Sequence, residues 1–406
     1  MSSVFVARQP IFELDRGLYG YELLYRRDPI IQVADGADSG FMSAEVIASA
    51  MLGLGLRNIT GNAFAFINFS RGQLLNESWK LFEPNDVVIE LLENVEVNDE
   101  TIGACRAMVD AGFRLALDDY VYSEETRPLL ELASIVKIDV LDRTDRELGL
   151  IASNLASTGV RMLAERVETS AMRDVCASMG FKLFQGYLFS RPETLSKADV
   201  SPAQLAIMRL LNLLQDPTTT DSTLDAAFQS DLALSYKLLR IVNAAAVGGR
   251  GVTSIPHAVR LVGREMLHRW LAVILVASLG EKGNVSHELA LTAITRARMC
   301  ELVTANAGAV RQAPSAFIVG LLSLLDVLLE VPMPNILSRL ELSTEVRNAL
   351  LQRVGPLGGP LRIVESYERA NWEATRDLAI DGDIDENVLP TIYLDALKWA
   401  TTQIAA

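Results

Sequence analysis

RLALDDYVYSEETRPLLELASIVKIDV, residues 114–140, is the stretch on which the fold turns. An apolar run, Leu115-Ala116-Leu117, ends in two adjacent carboxylates, Asp118 and Asp119. A short amphipathic segment follows, and a second apolar run, Ile135-Val136, delivers Lys137 at its far end. Neighbouring carboxylates raise each other's cost of ionisation unless a cation stands between them. A lysine close in space, or a divalent metal, is such a cation. Taken alone, an Asp pair at a strand end is ordinary turn and helix-cap chemistry. The recurrence of the pattern along the first half of the chain makes it informative.

Short apolar runs rich in β-branched and aromatic residues recur there, each bounded by turn signals. They cover Val4 to Ala7, Tyr19 to Leu24, Ala63 to Phe69, Val87 to Leu91, Phe113 to Leu117, Ile135 to Ile138, Val160 to Leu163 and Phe181 to Phe184. Helical spacing of apolar residues marks Ala44 to Leu54, Ile102 to Ala111, Glu147 to Ser157 and Ala171 to Met179. Gly112, Gly159 and Gly180 stand where the last three of these helices should stop. Strand and helix in alternation predict parallel pairing with right-handed crossovers, and the number of runs favours a closed, TIM-like barrel.

Polar residues fall at the ends of these runs: Glu22, Asn68, Glu90, Asp118 and Asp119, Lys137, Glu165 and Gln185. In a parallel barrel they converge on one rim, the face where such folds do chemistry. The set holds carboxylates, amides and one ammonium, with neither His nor Cys. Hard oxygen donors of this kind suit Mg²⁺, Ca²⁺ or Mn²⁺ rather than zinc, and two such ions can clamp a phosphodiester.

Composition sets the frame. With 406 residues, 50% hydrophobic and 22% charged, the chain is long enough for two folded domains. A net charge of −14 argues against general nucleic-acid binding, though not against a small phosphorylated ligand. Cys105, Cys176 and Cys300 are scattered and read as small core residues of a reducing compartment. Neither a secretory signal nor a membrane span is legible. Trp270 to Leu279 is too short, and Phe317 to Leu329 is interrupted by Asp326. The expectation is a cytoplasmic protein. Beyond Arg191-Pro192-Glu193 the pattern becomes helical to the end, with no strand signal of comparable quality. The helices read as Ala203 to Leu214, Leu224 to Gln229, Ala233 to Asn243, Ile255 to Val262, Arg264 to Leu279, His287 to Ala305, Ala316 to Leu329, Ile336 to Leu340, Glu345 to Arg353, Leu361 to Arg376 and Asn387 to Ile404.

On GYELLYR, AERVE, QGYLFSRP and the residues above, the first 194 positions resemble the EAL family of cyclic di-GMP phosphodiesterases, with Leu23 where the motif has Ala. The resemblance implies that Glu22, Asn68, Glu90 and Asp118 ligate metal, with Asp119 serving a second ion, as Mg²⁺ or Mn²⁺. It implies Lys137 as the residue orienting water and phosphate, Glu165 as general base, Gln185 and Arg26 as ligand-binding groups, and Glu93 as the anchor of the loop after the Asp pair. That loop, DDYVYS, lacks the family's two glycines, Val121 and Ser123 standing in their place. The loop couples the second metal site to dimerisation in the family, so a homodimer is one expectation. Arg166 replaces the glycine beside Glu165, and can either enter the metal's place or point away. The segment between Glu22 and Asn68 is short, suggesting a trimmed second helix. Two readings stay open: a working hydrolase making linear pGpG, and a silent cyclic di-GMP receptor or scaffold. A third, hydrolysis of an unrelated phosphate ester, applies only if cyclic di-GMP fails to bind.

DLALSYKLLRIVNAAAVGGRGVTSIPHAVRLVGREML, with Asn243 in its Leu-Leu-Arg-x-x-Asn element, resembles the HDOD domain, a helical relative of the HD phosphohydrolases. The metal-binding His and His-Asp of those enzymes are absent: His257, His268 and His287 precede no Asp and read as structural. No metal is expected there, and the resemblance implies an interaction or sensing module with a protein partner. The domains read as 1–194 and 195–406. Two further features have plain readings: the charge run Asp139 to Arg146 as a barrel loop with a helix N-cap, and VGLLSLLDVLLEV as core or an interdomain surface.

Overall fold

The computed structural model describes residues 4–27, 56–93, 95–120, 124, 126–186, 202–215, 218–229, 255–279, 285–329, 331–338, 340 and 342–405. The expected helix over Ala44 to Leu54, residues 121–123, the expected helix over Ala233 to Asn243 and Asn243 itself lie outside these. The chain divides into two compact units, the first holding Met1–Arg191 with Gly283–Val285 and Tyr367–Trp372, and the second the remainder.

The first unit is a closed barrel of strands β1 (Val4–Glu13), β2 (Leu18–Arg27), β3 (Phe64–Phe69), β4 (Val87–Leu91), β5 (Arg114–Leu117), β6 (Ile135–Asp139), β7 (Arg161–Glu165) and β8 (Leu183–Phe184), hydrogen-bonded in chain order. From β2 to β8 every pairing is parallel. The first strand departs from the expected parallel scheme, running antiparallel to both β2 and β8. The reason is local: only Leu14-Asp15-Arg16-Gly17 separates β1 from β2, and a parallel crossover needs a dozen residues or more. Asp15 Oδ1 accepts the Gly17 amide at 2.9 Å, and Arg16 takes a left-handed φ of 69° to close the hairpin.

Helices alternate with strands β4 to β8 as the apolar spacing predicts. Asp99–Asp110 is capped by Asn98, whose side chain accepts from Thr101 N. Asp145–Leu155 starts from a capping box made by Thr144 and Glu147, so the charge run Asp139 to Arg146 is indeed a loop feeding an N-cap. Ser170–Ser178 is capped by Thr169. Gly112, Gly159 and Gly180 follow the ends of these helices with φ of 94°, 79° and 99°, the left-handed turn that stops a helix. The barrel interior is filled by one fully buried side chain from seven of the strands: Ile11, Phe66, Val88, Ala116, Ile135, Leu163 and Leu183.

The second unit is helical throughout its described residues. The helices of this half of the chain, all in the second unit but for Val285, Tyr367, Glu368 and Trp372, are Pro202–Gln215, Asp221–Gln229, Ile255–Leu279, Val285–Asn306, Ala313–Leu322, Leu325–Leu329, Met333–Leu337, Thr344–Gln352, Gly358–Glu368, Trp372–Asp381 and Leu389–Ala405. Gly263 interrupts Ile255–Leu279 with a φ of 82°, between the two helices expected there. The single helix expected over Leu361 to Arg376 is instead two, because Ala370 turns left-handed at φ 53°. Among the described residues one stretch, Val310–Leu329, has the length and hydropathy of a membrane span, and 67% of it is buried. It is broken by Ser323, whose hydroxyl donates to Gly320 O at 2.7 Å and accepts from Arg296 Nη1 at 2.8 Å. The three cysteines are free and buried, and burial pushes the Cys105 thiol up to about 12 and that of Cys176 to about 11.

One contact near the barrel rim fixes the height of β8. At Gly186, φ 150°, a Cβ would lie 2.2 Å from Val167 N and 2.5 Å from Val167 O. Gly186→Ala is therefore expected to lower barrel stability by about 1–3 kcal/mol. Gly103→Ala, at an exposed helical position with nothing within 4 Å, should raise it by about 0.5–1 kcal/mol. Urea unfolding of the full chain distinguishes the two signs.

Candidate active site at the barrel mouth

Along a strand, side chains two residues apart share a face. Two steps beyond Val88, Ala116, Ile135, Leu163 and Leu183 of the apolar layer come Glu90, Asp118, Lys137, Glu165 and Gln185. Two beyond Phe66 comes Asn68, and two beyond Gly20 comes Glu22. Asp118 and Gln185 lie just past their strands, yet each extends the ladder by one bond, Asp118 N to Leu91 O at 3.0 Å and Gln185 N to Ala164 O at 2.8 Å. The alternation thus builds a polar layer directly above an apolar one.

At its centre is the ammonium of Lys137, whose side chain is 1% exposed. It pairs with Glu90 Oε1, lies 2.9 Å from Glu165 Oε1 and 3.1 Å from Asp118 Oδ1, and stands 3.5 Å from Glu22 Oε2. Burial works against its charge, but the four carboxylates together outweigh that and hold its pKa well above the ordinary lysine value. Glu90 is fully buried, and its Oε2 has no hydrogen-bond donor among the described residues. Burial raises its pKa well above the carboxylate range, Lys137 opposes this, and Glu22, Asp118 and Glu165 add to the rise. Glu165 is pushed up to about 7 by burial, against the pull of Lys137. Gln185 Nε2 donates to Glu22 Oε2 at 2.7 Å and to Gln9 Oε1 at 3.0 Å, fixing the Glu22 carboxylate.

Of the residues singled out from sequence, Glu22, Glu90, Asp118, Lys137, Glu165 and Gln185 meet here, and Asn68 sits beside Glu90 in register. Asp119 is half-buried and turns left-handed, φ 41°. Glu93 is exposed in the turn after β4. Arg26 lies on β2 opposite Phe5, its side chain outside the described residues. Arg166, at φ 53°, takes a left-handed backbone conformation of the kind that favours glycine. Its guanidinium is paired with Asp139 and 3.7 Å from Asp142, apart from the carboxylates that surround Lys137. Of the two alternatives for this side chain, the second is observed.

Two participants escaped the sequence reading. Gln9 faces Glu22 across the antiparallel β1–β2 pair, which requires knowing that β1 runs backwards. Asp139, inside the charge run, holds Arg166 and accepts from Leu141 N at 3.0 Å. Among the described residues no three Asp, Glu, His or Cys groups stand ready to hold a metal ion. The carboxylates turn to the ammonium instead.

The HDOD domain family matches residues 202–349. The YuxH protein of Bacillus subtilis strain 168 is 32% identical over 404 residues, 98% of each chain. Cyclic di-GMP phosphodiesterase CdgJ of Vibrio cholerae is 30% identical over 405 residues, 98% of this chain and 93% of that one. Among solved structures, the calcium and cyclic di-GMP complex of Klebsiella pneumoniae BlrP1 is similar at a TM-score of 0.38 and 23% identity, over 46% of this chain and 55% of that one.

Glu165 binds its proton more tightly folded than unfolded, so it makes stability fall as pH rises from the ordinary 4.5 to about 7. With a chelator present, Glu165→Gln should gain on the wild type across that window by on the order of 3 kcal/mol. Urea midpoints taken at intervals of pH test this, and a pH-independent difference would contradict it.

Proposed function

This chain belongs to the EAL–HDOD family, and on that premise we propose that its barrel hydrolyses cyclic di-GMP to linear pGpG. The observation that carries the proposal is the convergence of Glu22, Glu90, Asp118 and Glu165 on Lys137 at one barrel mouth. CdgJ, a cyclic di-GMP phosphodiesterase related along nearly the whole chain, supports the choice of substrate. We assign the barrel domain to residues 1–194 and the helical domain to 195–406, the latter passing the output to a protein partner.

The donor set fits hard divalent ions: it offers carboxylate and amide oxygens, and Glu90 Oε2 is a buried oxygen without a donor among the described residues. Glu22, Asn68, Glu90 and Asp118 would hold one such ion and Asp119 would serve a second, with Mg²⁺ or Mn²⁺ as the expected species. When bound, these ions supply Lewis acidity to the phosphoryl oxygens and lower the pKa of the attacking water. Glu165, with a pKa near neutrality, is suited to take the proton from that water. Lys137 stabilises negative charge developing on the phosphoryl oxygens as one ester bond breaks. Arg26 would bind a ligand phosphate, and Gln185 holds Glu22 in orientation. Glu93 would act as the anchor of the loop that follows Asp119. Arg166, engaged with Asp139, leaves the mouth to the ligand.

The test is hydrolysis of cyclic di-GMP by the full chain with MnCl₂ or MgCl₂, products separated by chromatography. Linear dinucleotide is expected, lost on adding EDTA and lowered about 10²–10⁴-fold by Glu165→Gln. Arg166→Gly should keep the wild-type rate. Tight nucleotide binding without turnover would overturn hydrolysis in favour of a receptor, and turnover appearing only in Arg166→Gly would make that arginine the cause.

A further inference from the structure

An ammonium has three N–H donors. Those of Lys137 face Glu90, Glu165 and Asp118, with Glu22 next at 3.5 Å, so this arrangement leaves none over for a ligand phosphate. Lys137 is 1% exposed and Glu90 is fully buried, so solvent screens little of the charge between those two. The arrangement is that of acidic groups gathered around a cation of their own.

We propose that Lys137 is the resident cation of the metal-free site, and that loading a divalent ion is an exchange in which the carboxylates pass from the ammonium to the incoming charge. The inference rests on the metal-binding reading of this mouth. Buried carboxylates without a counter-charge are costly, so a metal-free barrel lacking Lys137 has no means of ionising them together. A barrel that keeps Lys137 is folded before the metal arrives. The exchange also releases the ammonium, which only then has donors for a phosphate. Metal therefore precedes nucleotide.

The experiment follows thermal unfolding of full-length wild type and Lys137→Met by circular dichroism, in EDTA and in MnCl₂. In EDTA the variant should unfold several degrees below the wild type, and MnCl₂ should raise the variant's midpoint by more than it raises the wild type's. Equal, non-zero shifts in the two proteins would overturn the exchange while leaving metal binding intact. No shift in either would overturn the metal-binding reading and the exchange with it. A second measurement needs no variant. In ¹⁵N-lysine-labelled wild type, the Lys137 Nζ–H signal should be protected from solvent exchange in EDTA and change on adding MgCl₂. A signal that MgCl₂ leaves unchanged, while Mn²⁺ stabilises the protein, would also overturn the exchange.

Discussion

An ammonium shared among four carboxylates, and itself almost wholly buried, is the interaction on which the barrel mouth depends. Coulomb attraction is strong there because little solvent screens it. For the same reason each charge is expensive alone, and removing one partner leaves the rest uncompensated. Lys137 and Glu90 are the two extremes, one ammonium and one carboxylate held with virtually no exposure. Their pKa values are driven by burial and by each other, so the protonation of any one group is a property of the set.

The barrel makes this crowding possible because its strands alternate. A layer of fully buried apolar side chains from Ile11 to Leu183 supports the polar layer from below, and the strand pleat places one above the other. Register does the rest: Asn68 lies opposite Glu90, Asp139 opposite Glu165 and Gln9 opposite Glu22. The close approach of Gly186 to the Val167 backbone holds the end of β8, and with it Gln185, at the height of Glu22. Unusual backbone collects at the same rim, where Asp119 and Arg166 both adopt left-handed φ. Such strain persists only where surrounding structure imposes it, and it concentrates at working sites. At Arg166 the ion pair with Asp139 accompanies the strain, binding the residue after β7 to the end of β6.

The helical unit satisfies its polar groups differently. Arg269 is paired with Glu301 at 2.5 and 2.7 Å and lies 3.9 Å over the Phe317 ring. Arg353 reaches Glu365, which also faces Arg296. His268 is buried, and burial lowers its pKa to about 4, so it is neutral near pH 7. The ion pairs neutralise charge within the unit and tie its helices together.

By itself the sequence determined the strand–helix alternation, the glycines that end Asp99–Asp110, Asp145–Leu155 and Ser170–Ser178, and the polar residues raised to one rim. Those are local signals, because a two-residue period, a cap or a left-handed turn is written within a few positions. It also marked Arg166 as foreign to its place without deciding where the side chain goes. Although the four-residue link that turns β1 antiparallel is itself a local feature, tertiary structure alone decided the register that sets Gln9 rather than another residue against Glu22. It alone decided that Lys137 sits at the centre of the carboxylates and that Arg166 answers to Asp139. Each of these is a meeting of residues distant in the chain, and such meetings are set by barrel closure and register, which no short stretch of sequence encodes.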